Sequence, residues 1–490
     1  QGCGGGNAAM AGPRRQSGGE SCGHGARDGE AAERRGVFRS PVQRVRGTQG
    51  CGEEVVLRQG LTGGAEVAAP TVEGFPAARS FSRRGFLPLV AAAVAMSMVW
   101  GAVAQELGDS DKYAWVYAVG DKGTVFRSTN AGETWRVQDV EATGTDENLQ
   151  DVFFFDARSG YVVGENSAII VTHNAGWNWD EVALSDGETD GPKVNLTGIH
   201  LQRFPGPAFL VGHDGLFAMS DDGEAWSIFA IWCKGSECVV APFSDTAAPG
   251  EGHERVGRLH AVRFKDTSNG ILVGDNGLVL LTQDGAEEAP TFSKVQLFAE
   301  TERPWPNMTG IDMNSLGHMV MVGDRGVVFK VRHRSNPDSD KLNFEFFGCN
   351  LQRCATPIPA AVTTGEGGCA VTTQHLRAVN ALVQGDGSQD VIVVGGTQGF
   401  VARLDESKDA PWVTPAVPVA HPLEKVMSLY VSTENTDVLV TDKGNIYRTT
   451  DGTADVPTYV RIAVPEGYSF RQVTGRNAGD ESPGSVVRAR

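Results

Sequence analysis

The sequence predicts an all-β, seven-bladed β-propeller whose C-terminal strand closes the first blade. Three observations lead to this fold class. A Gly-bearing turn of the form V-G-D-x-G recurs in seven variants between residues 119 and 444, most copies follow a run of alternating apolar and polar residues, and the period is roughly 40 to 50 residues. Such alternation is typical of half-buried strands, and about four strands per repeat is typical of a propeller blade.

The repeat can be followed along the chain through its turns and runs. The turn copies occupy residues 119–123, 163–167, 211–215, 273–277, 322–326, 394–398 and 440–444. The alternating runs occupy residues 149–154, 196–201, 259–264, 308–313, 376–381 and 426–431. The first turn has no run ahead of it, whereas residues 468–473 offer one after the last blade. We predict that this C-terminal strand completes blade one, which closes the ring and removes two open sheet edges.

The two ends of the chain do not follow the repeat. Residues 1–81 have too little periodic apolar content for a core, so we interpret them as a disordered or wrongly assigned leader. Residues 82–104 open with S-R-R-G-F-L and end at A-V-A, which predicts a twin-arginine-type export signal; an ordinary secretory signal is the alternative. The propeller then takes residues 105–476, and residues 477–490 are predicted to be a loose tail.

The charge of the chain excludes some classes of partner. The net charge is −17, and the part from Gln105 onward has 52 acidic and 31 basic residues. So acidic a protein is a poor candidate for binding nucleic acid or an anionic membrane surface. The apolar run of the signal is short for a membrane span. We therefore expect an exported monomer that does not span the membrane once its signal is cleaved.

A second turn in the blades matches the Asp-box pattern S/T-x-D-x-G-x-T-W. In this pattern an Asx side chain caps the turn, Gly takes a positive φ angle and an aromatic ring packs between neighbouring sheets. We therefore assign these residues a structural role, and the box indicates almost nothing about activity. The residues that carry it are Ser128, Asn130, Gly132, Trp135, Thr172, Asn174, Gly176, Trp179, Asp222 and Trp226.

Two insertions, near residues 231–256 and 332–374, interrupt the repeat, and each contains a C-x4-C pair. In long loops of an exported chain such pairs are most simply local disulfides. Zinc is the competing interpretation, but it needs four ligands of suitable geometry, and the two pairs lie on different blades. The disulfide candidates are Cys233, Cys238, Cys349 and Cys354, with Cys369 left over as an odd thiol.

No catalytic signature stands out in the sequence. Asp-box propellers include sialidases, but the early F/Y-R-x-P motif of those enzymes is missing from blade one, and none of the seven Tyr lies in a recognisable Tyr/Glu setting. A pair of carboxylates in the central funnel would suffice for another glycoside hydrolase, and no spacing picks one out. His200, His213, His260 and His318 fall singly in strands or turns, so we predict no metal and no cofactor.

The export signal, the repeated turns and two longer phrases resemble the photosystem II stability/assembly factor family of seven-bladed propellers. The phrases are G-D-K-G-T-V-F-R-S-T at residues 120–129 and T-D-K-G-N-I-Y-R-T-T-D-G at residues 441–452, and the resemblance covers roughly residues 113–473. It implies a non-enzymatic factor that holds a newly made reaction-centre subunit in the thylakoid lumen. Similar propellers are exported by non-photosynthetic bacteria, so an unrelated binding protein of the bacterial envelope or periplasm is the alternative.

We predict a protein partner, namely an exposed segment of a membrane-complex subunit, bound by one face of the ring and its inserted loops. Basic residues on the turns of otherwise acidic blades are the candidates for contact, and solvated turn charges are the alternative interpretation. The arginine that precedes the Asp box in the family is replaced here by Val171, Met219 and Leu281 in three blades. The candidate contacts are Lys122, Arg127, Arg325, Lys443 and Arg448.

Overall fold

The computed structural model describes residues 115–138, 143–187, 191–244, 248–299, 303–335, 342–349, 354–358, 372–384, 389–408 and 412–476. These ranges contain thirty β-strands. The predicted leader, export signal and tail, together with Cys369, lie outside the described residues. None of the helical turns in the described ranges has the length and apolar character that a membrane span requires.

The first sheet joins the two ends of the described chain. It consists of β1 (Trp115–Gly120), β2 (Val125–Ser128), β3 (Arg136–Gln138) and the C-terminal strand β30 (Phe470–Arg476), in the order β3-β2-β1-β30. β30 pairs antiparallel with β1, and Tyr117 lies opposite Thr474. The predicted closure of the first blade by the C-terminal strand is therefore confirmed.

The repeating unit is clearest in the second sheet. It consists of β4 (Leu149–Phe154), β5 (Gly160–Gly164), β6 (Ile169–Thr172) and β7 (Asp180–Glu181), which pair in that order. β5 and β6 are buried throughout, whereas both residues of β7 are exposed. The two central strands are covered on both faces by neighbouring sheets, which explains their continuous Val and Ile content.

The third sheet has ten strands and combines two repeats with the first insertion. Its members are β8 (Leu196–Leu201), β9 (Ala208–Gly212), β10 (Leu216–Ser220), β11 (Ser227–Lys234), β12 (Glu237–Pro242), β13 (Glu254–Arg255), β14 (Leu259–Phe264), β15 (Gly270–Gly274), β16 (Val279–Thr282) and β17 (Phe292–Lys294). β11 and β12 form a hairpin, and β12 also pairs with β17 through Glu237 opposite Ser293 and Cys238 opposite Phe292. The first insertion was expected to be a long loop; this expectation was wrong, because its backbone pairs with the strands beside it.

Three further sheets complete the fold. The five-stranded sheet consists of β18 (Met308–Met313), β19 (Met319–Gly323), β20 (Val328–Ser335), β21 (Leu342–Cys349) and β22 (Cys354–Ile358). The three-stranded sheet consists of β23 (Leu376–Gln384), β24 (Gln389–Gly396) and β25 (Val401–Asp405). The last sheet consists of β26 (Val426–Val431), β27 (Asp437–Thr441), β28 (Ile446–Thr449) and β29 (Val460–Ile462).

The innermost strands contact each other in a closed order, and this closure makes the fold a propeller. The order is β4, β8, β14, β18, β23, β26 and β30, after which β30 contacts β4. The structure confirms the predicted all-β propeller. Hydrogen bonding divides the described residues into six sheets, because the ladder between β12 and β17 merges two meanders into one.

The core lies between adjacent sheets and is built from stacked aromatic pairs within aliphatic layers. The ring centroids of Tyr117 and Phe154 are 3.8 Å apart, and those of Phe209 and Phe264 are 3.7 Å apart. In both pairs the two rings come from neighbouring repeats of the ring. The buried rings therefore fix the spacing between those repeats.

The Asp-box residues close the turns at the outer end of each repeat. In the first box, Ser128 Oγ accepts a hydrogen bond from the Gly132 N–H at 2.9 Å, and Trp135 Nε1 donates to the Gly132 carbonyl at 2.9 Å. The second box repeats this bond between Thr172 and Gly176 at 2.9 Å. The Asx oxygens of Asn130, Asn174 and Asp222 accept N–H groups of their own turns.

Candidate functional site

One end of the ring is formed by the starts of the inner strands and by the V-G-D-x-G turns. The fourth residues of five of these turns, and the fifth residue of the copy at 394–398, have φ between 51° and 60°. Acidic side chains of the turns bond to the inner strands beside them: Asp121 lies 2.9 Å from Arg471, and Asp275 lies 2.7 Å from His260. The turns therefore form a rim around the start of the central channel.

The second residue of each inner strand lines the channel at this end. We call the channel mouth the set Gln150, Thr197, Arg258, His260, Thr309, Arg377, Met427 and Arg471. Arg258 is the residue immediately before β14 and completes the set. Side chains alternate between the two sides of a strand. The first residue of each inner strand is buried between the sheets, so the second faces the channel axis.

The channel mouth concentrates positive charge in an otherwise acidic molecule. Its lining includes Arg258, Arg377 and Arg471 together with His260, and the acidic residue that shares the cavity, Asp151, is buried. Arg471 forms an ion pair with Asp121. Among the described residues, Arg258 and Arg377 have no carboxylate within ion-pair distance, and Arg258 Nε is buried without a hydrogen-bond partner. These guanidinium groups can still bind an anion.

The pKa shifts at the mouth are caused mainly by burial, and neighbouring cations add to them. Burial lowers the pKa of Arg258; the nearby Asp275 opposes this effect, and the charges of Arg377 and Arg471 add to it. Burial also lowers the pKa of His260, although its hydrogen bond to Asp275 acts in the opposite direction. An anion bound among these groups would relieve their mutual repulsion.

Below the mouth, buried charged residues close the channel. Arg263 Nε lies 3.6 Å from a carboxylate oxygen of Asp312. Asp151 is also close enough to Arg263 for that charge to lower its pKa, but burial is the larger effect and raises the pKa of Asp151 to about 6. The mouth is therefore a recess whose base is lined by charged residues.

The acidic residues of this floor connect neighbouring inner strands. Asp151 Oδ2 accepts the Ile199 N–H at 2.9 Å, and Asp312 Oδ2 accepts the Ala381 N–H at 3.0 Å. Each bond runs from one inner strand to the next. Asp151 is 5% exposed and the Asp312 side chain 14%. Both carboxylates thus have bonds within the fold that account for their positions.

The structure separates the five residues predicted to contact a partner into two groups. Lys122, Arg325 and Lys443 are exposed on the rim turns, and Lys443 Nζ lies 3.6 Å from its neighbour Asp442. Their ammonium and guanidinium groups lie on the same end of the ring as the channel mouth. The turns that carry these three predicted residues thus lie at the same end of the ring as the mouth arginines.

Arg127 and Arg448 instead lie within the body of the blades. Arg127 is 6% exposed, and its guanidinium carbon is 4.9 Å from the ring centroid of Trp115 and 4.1 Å from that of Trp177. Arg448 Nε donates to the Ala131 carbonyl at 2.8 Å, a bond between the last sheet and the first Asp box. Both side chains are engaged in contacts between parts of the fold.

Sequence reasoning missed the mouth arginines, although a signal was present. Arg377 occupies the second position of its alternating run, the same position as His260, and Arg471 occupies the fourth position of the run 468–473, which faces the same side under period-two alternation. Alignment of the runs by their first apolar residue would have placed the three side chains on one inner surface. The turns are more regular in sequence than the runs, and the predicted contacts therefore lay on the turns.

The four isolated histidines have separate environments. Burial holds the pKa of His200 well below its usual value, and His260 bonds to Asp275 as described above. His318 Nδ1 lies 3.2 Å from Asp390, and His213 is on a rim turn. In the described part of the chain, no three His, Cys, Asp or Glu side chains are grouped so that they could hold a metal ion.

The first cysteine pair forms a disulfide. Cys233 and Cys238 are bonded across the β11–β12 hairpin, with their Cα atoms 4.0 Å apart. Cys349 is also disulfide-bonded, and the backbone of Cys354 lies opposite it in the β21–β22 pairing. The pairing of Cys349 with Cys354 stays a prediction.

Comparison with known proteins supports the predicted resemblance. No family model matches the chain. A curated relative, the photosystem II assembly lipoprotein Ycf48 of Synechococcus sp. (strain CC9902), is 24% identical over 347 residues, which are 68% of this chain and 94% of the relative. The sequence thus resembles the photosystem II assembly factors over nearly the whole length of that protein.

Similar solved structures include two proteins of the same name and one of another. The structure titled YCF48 bound to D1 peptide is 17% identical, with a TM-score of 0.38, over 64% of this chain and 80% of that one. YCF48 from Cyanidioschyzon merolae is 14% identical, with a TM-score of 0.39, over 65% and 86%. Apo AztD from Citrobacter koseri is 12% identical, with a TM-score of 0.42, over 74% and 98%.

Proposed function

We propose that this chain, which resembles photosystem II assembly factors, is a non-enzymatic exported propeller that holds an exposed segment of a photosystem II reaction-centre subunit. The observation that carries the proposal is the channel mouth, where Arg258, Arg377 and Arg471 converge in a strongly acidic molecule. The thylakoid lumen or the bacterial periplasm is the proposed location, and the proposed acting form is a monomer.

We also propose that the ring has seven blades. Seven inner strands follow one another in a closed order, although the described sheets number six. The ten-stranded sheet would then contribute two blades, and the bridge between Arg403 and Val413 marks the outer strand of the three-stranded sheet. A ring of this size leaves a central channel wide enough for side chains of a bound segment at its mouth.

Binding would depend on charge and on rigidity. Carboxylates of the partner segment would accept hydrogen bonds from Arg258 and Arg377, whose guanidinium groups have no competing carboxylate within ion-pair distance in the described residues. Lys122, Arg325 and Lys443 on the rim would contribute longer-range attraction. The closed ring fixes these groups before the partner arrives, so little ordering would be needed on binding.

The arrangement of the channel acids favours holding over hydrolysis. A glycoside hydrolase needs two carboxylates that reach the substrate, whereas Asp151 and Asp312 are largely buried and accept N–H groups of neighbouring strands. The positions of these two carboxylates are therefore explained by their bonds within the fold. Among the described residues, the lining of the mouth contains no second pair of carboxylates that could serve a hydrolase.

A pull-down with the full-length chain tests the proposal. The tagged protein is incubated with detergent-solubilised photosynthetic membranes, and the retained proteins are identified by mass spectrometry. We expect a reaction-centre subunit to be retained by the unmodified chain. A double variant, Arg258→Gln with Arg377→Gln, should retain about tenfold less, because two charge-assisted hydrogen bonds are lost.

The control is Arg461→Gln, an exposed arginine on the outer strand β29, which should retain as much as the unmodified chain. Thermal unfolding of all three proteins checks that the fold is intact. Retention of unrelated envelope proteins alone would refute the photosystem role. Equal retention by the double variant and the control would refute the channel mouth as the binding site.

A further inference from the structure

A groove runs outward from the channel mouth between the first insertion and the repeat that follows it. One wall is the tip of the β11–β12 hairpin at Cys233, Gly235 and Ser236, and the other contains Lys294, Arg303 and Trp305. Its floor includes residues 254–257 and the rim turn at Asp275 and Asn276. We call this feature the hairpin groove.

The hairpin groove begins where the channel mouth ends. Gly257 in its floor directly precedes Arg258 of the mouth, and Asp275 in its floor bonds to His260 of the mouth at 2.7 Å. A chain segment seated at the mouth can therefore continue into the groove without crossing the body of a blade. The two cavities therefore lie beside each other on the same end of the ring.

The groove presents cations along its outer wall. The guanidinium carbon of Arg303 lies 4.3 Å from the centroid of the Trp305 ring, and Lys294 Nζ lies 5.8 Å from the same centroid. Trp305 Nε1 donates to the Ala299 carbonyl at 2.8 Å, which fixes the ring. Among the described residues, Lys294 has no carboxylate within ion-pair distance. The wall thus holds two positive charges on a rigid aromatic surface.

The floor adds a third cation that is held in place by the backbone. Arg255 Nε donates to the Asp214 carbonyl at 2.8 Å, and its guanidinium carbon lies 4.3 Å from the Phe243 ring centroid. The acidic residues of the groove are Glu254 and Asp275, of which Asp275 is engaged with His260. The groove is therefore cationic on balance in a chain with a net charge of −17, which favours an acidic occupant.

The wall formed by the hairpin is ordered by bonds on both sides. The Cys233–Cys238 disulfide closes the hairpin, the Lys294 N–H donates to the Ser236 carbonyl at 2.8 Å, and β12 pairs with β17. The Val256 N–H also donates to the Ile231 carbonyl at 3.0 Å. The groove is thus formed before a ligand binds, which lowers the ordering cost of binding.

We infer that the hairpin groove binds the continuation of the segment held at the channel mouth, as an extended acidic peptide whose carboxylates meet Lys294 and Arg303. This inference rests on the proposed function, since the mouth supplies the first contact. It adds that the preferred partner segment extends beyond the mouth. The part of the segment that leaves the mouth over β14–β17 is expected to carry acidic residues. The first insertion would thus set the specificity of this chain for its partner.

Two fluorescein-labelled peptides test the inference by fluorescence anisotropy with the full-length chain. The short probe is a tetramer of Glu, and the long probe is a dodecamer of alternating Glu and Ser. We expect the long probe to bind about tenfold more tightly, because it reaches the groove as well as the mouth. The double variant Lys294→Gln with Arg303→Gln should lose this gain and bind the short probe unchanged.

Two further variants make the outcome decisive. Arg377→Gln should weaken the binding of both probes, and Arg461→Gln on the outer strand should alter neither. The groove inference is wrong, while the mouth site stands, if the short probe binds and the long probe binds no more tightly. It is also wrong if the long probe still binds more tightly than the short one to the Lys294→Gln, Arg303→Gln variant. If neither probe binds the unmodified chain, the proposed mouth site and the groove are both wrong.

Discussion

Two arginines of this chain show how little the residue type alone says about its role. Arg377 is exposed at the second position of β23 and lines the channel mouth, whereas Arg127 is buried between two indole rings. The sequence favoured Arg127, because it lies in a phrase typical of the family. Its place between Trp115 and Trp177 depends on packing between two sheets, which a local pattern does not specify.

Replacement of the buried arginine should affect stability and leave binding unchanged. Arg127→Gln removes the guanidinium from the two indole faces, so we expect a loss of about 1 to 2 kcal/mol in the free energy of unfolding. Chemical denaturation measures this loss. The matched control is Arg158→Gln, an exposed arginine on a turn, which should change stability by less than about 0.5 kcal/mol.

A clear fall in peptide affinity for Arg127→Gln, with stability retained, would contradict this assignment and return Arg127 to the set of partner contacts. The same measurement separates the two groups of predicted residues. Lys122, Arg325 and Lys443 are exposed on the rim, so their substitution should change affinity and its salt dependence while stability is retained.

Residue-level prediction from sequence succeeded where spacing within one turn is sufficient. The Asp-box bonds of Ser128 to Gly132 and of Thr172 to Gly176 connect residues four apart, and the pattern encodes them directly. The channel mouth unites residues from seven inner strands, between Gln150 and Arg471. Its assembly depends on the closure of the ring, so no single stretch of sequence indicates it.

At the scale of elements, the first insertion differs most from expectation. Sequence indicated a loop pinned by a disulfide, and the structure contains that disulfide within a hairpin of two strands. The missing information was the partner strand: Glu237 and Cys238 pair with Ser293 and Phe292, some 55 residues further along the chain. Strand pairing over such distances is set by packing rather than by local propensity.

Removal of the hairpin disulfide should loosen the insertion and leave the ring folded. For the double variant Cys233→Ser with Cys238→Ser, the short closed loop predicts a loss on the order of 2 kcal/mol. Hydrogen exchange should rise in β11, β12 and β17, because their ladder depends on the closed hairpin. Amides of β5 and β6, which lie in another sheet, serve as the internal control.

If exchange rises equally in β5 and β6, the disulfide stabilises the whole ring and the local interpretation fails. If exchange in β12 does not change at all, the pairing with β17 holds the hairpin without the covalent bond. In the second outcome the wall of the hairpin groove would be ordered without the disulfide, and the disulfide would not contribute to specificity.

At the scale of the whole molecule, the repeat predicted the architecture because each turn and run recurs with little change. The all-β propeller followed from the repeat itself, and the closure by β30 followed from one missing run at the start and one extra run at the end. The division into sheets could not be predicted, since the ladder between β12 and β17 depends on the inserted hairpin. A repeat specifies the ring, and an insertion modifies it locally.

Removal of the closing strand should abolish the native ring. A chain that ends at Gly467 lacks β30, which pairs with β1 and contacts β26 and β4. It also lacks the fully buried Phe470, whose loss alone would cost about 3 to 5 kcal/mol. We expect this chain to lose its cooperative thermal transition and to aggregate through the open edge of β1, as measured by calorimetry and size-exclusion chromatography.

The matched control for this truncation is a chain that ends at Arg476, which keeps β30 and removes residues 477–490. Its thermal transition should match that of the full-length chain. A cooperative transition in the chain that ends at Gly467 would show that ring closure contributes little to stability, contrary to the pairing seen here.

The ladder between β12 and β17 also bears on how the molecule deforms. In the described residues it is the place where paired strands join the two meanders of the ten-stranded sheet, whereas other boundaries between sheets have side-chain packing and single main-chain bonds, such as Ser167 N–H to the Val194 carbonyl and Gly399 N–H to the Glu424 carbonyl. Main-chain ladders resist sliding more than side-chain packing does. We therefore expect one stiff sector in the propeller, with low-frequency bending concentrated in the remaining part of the ring. The hairpin groove lies on that stiff sector, so a partner would bind at the part of the ring that deforms least.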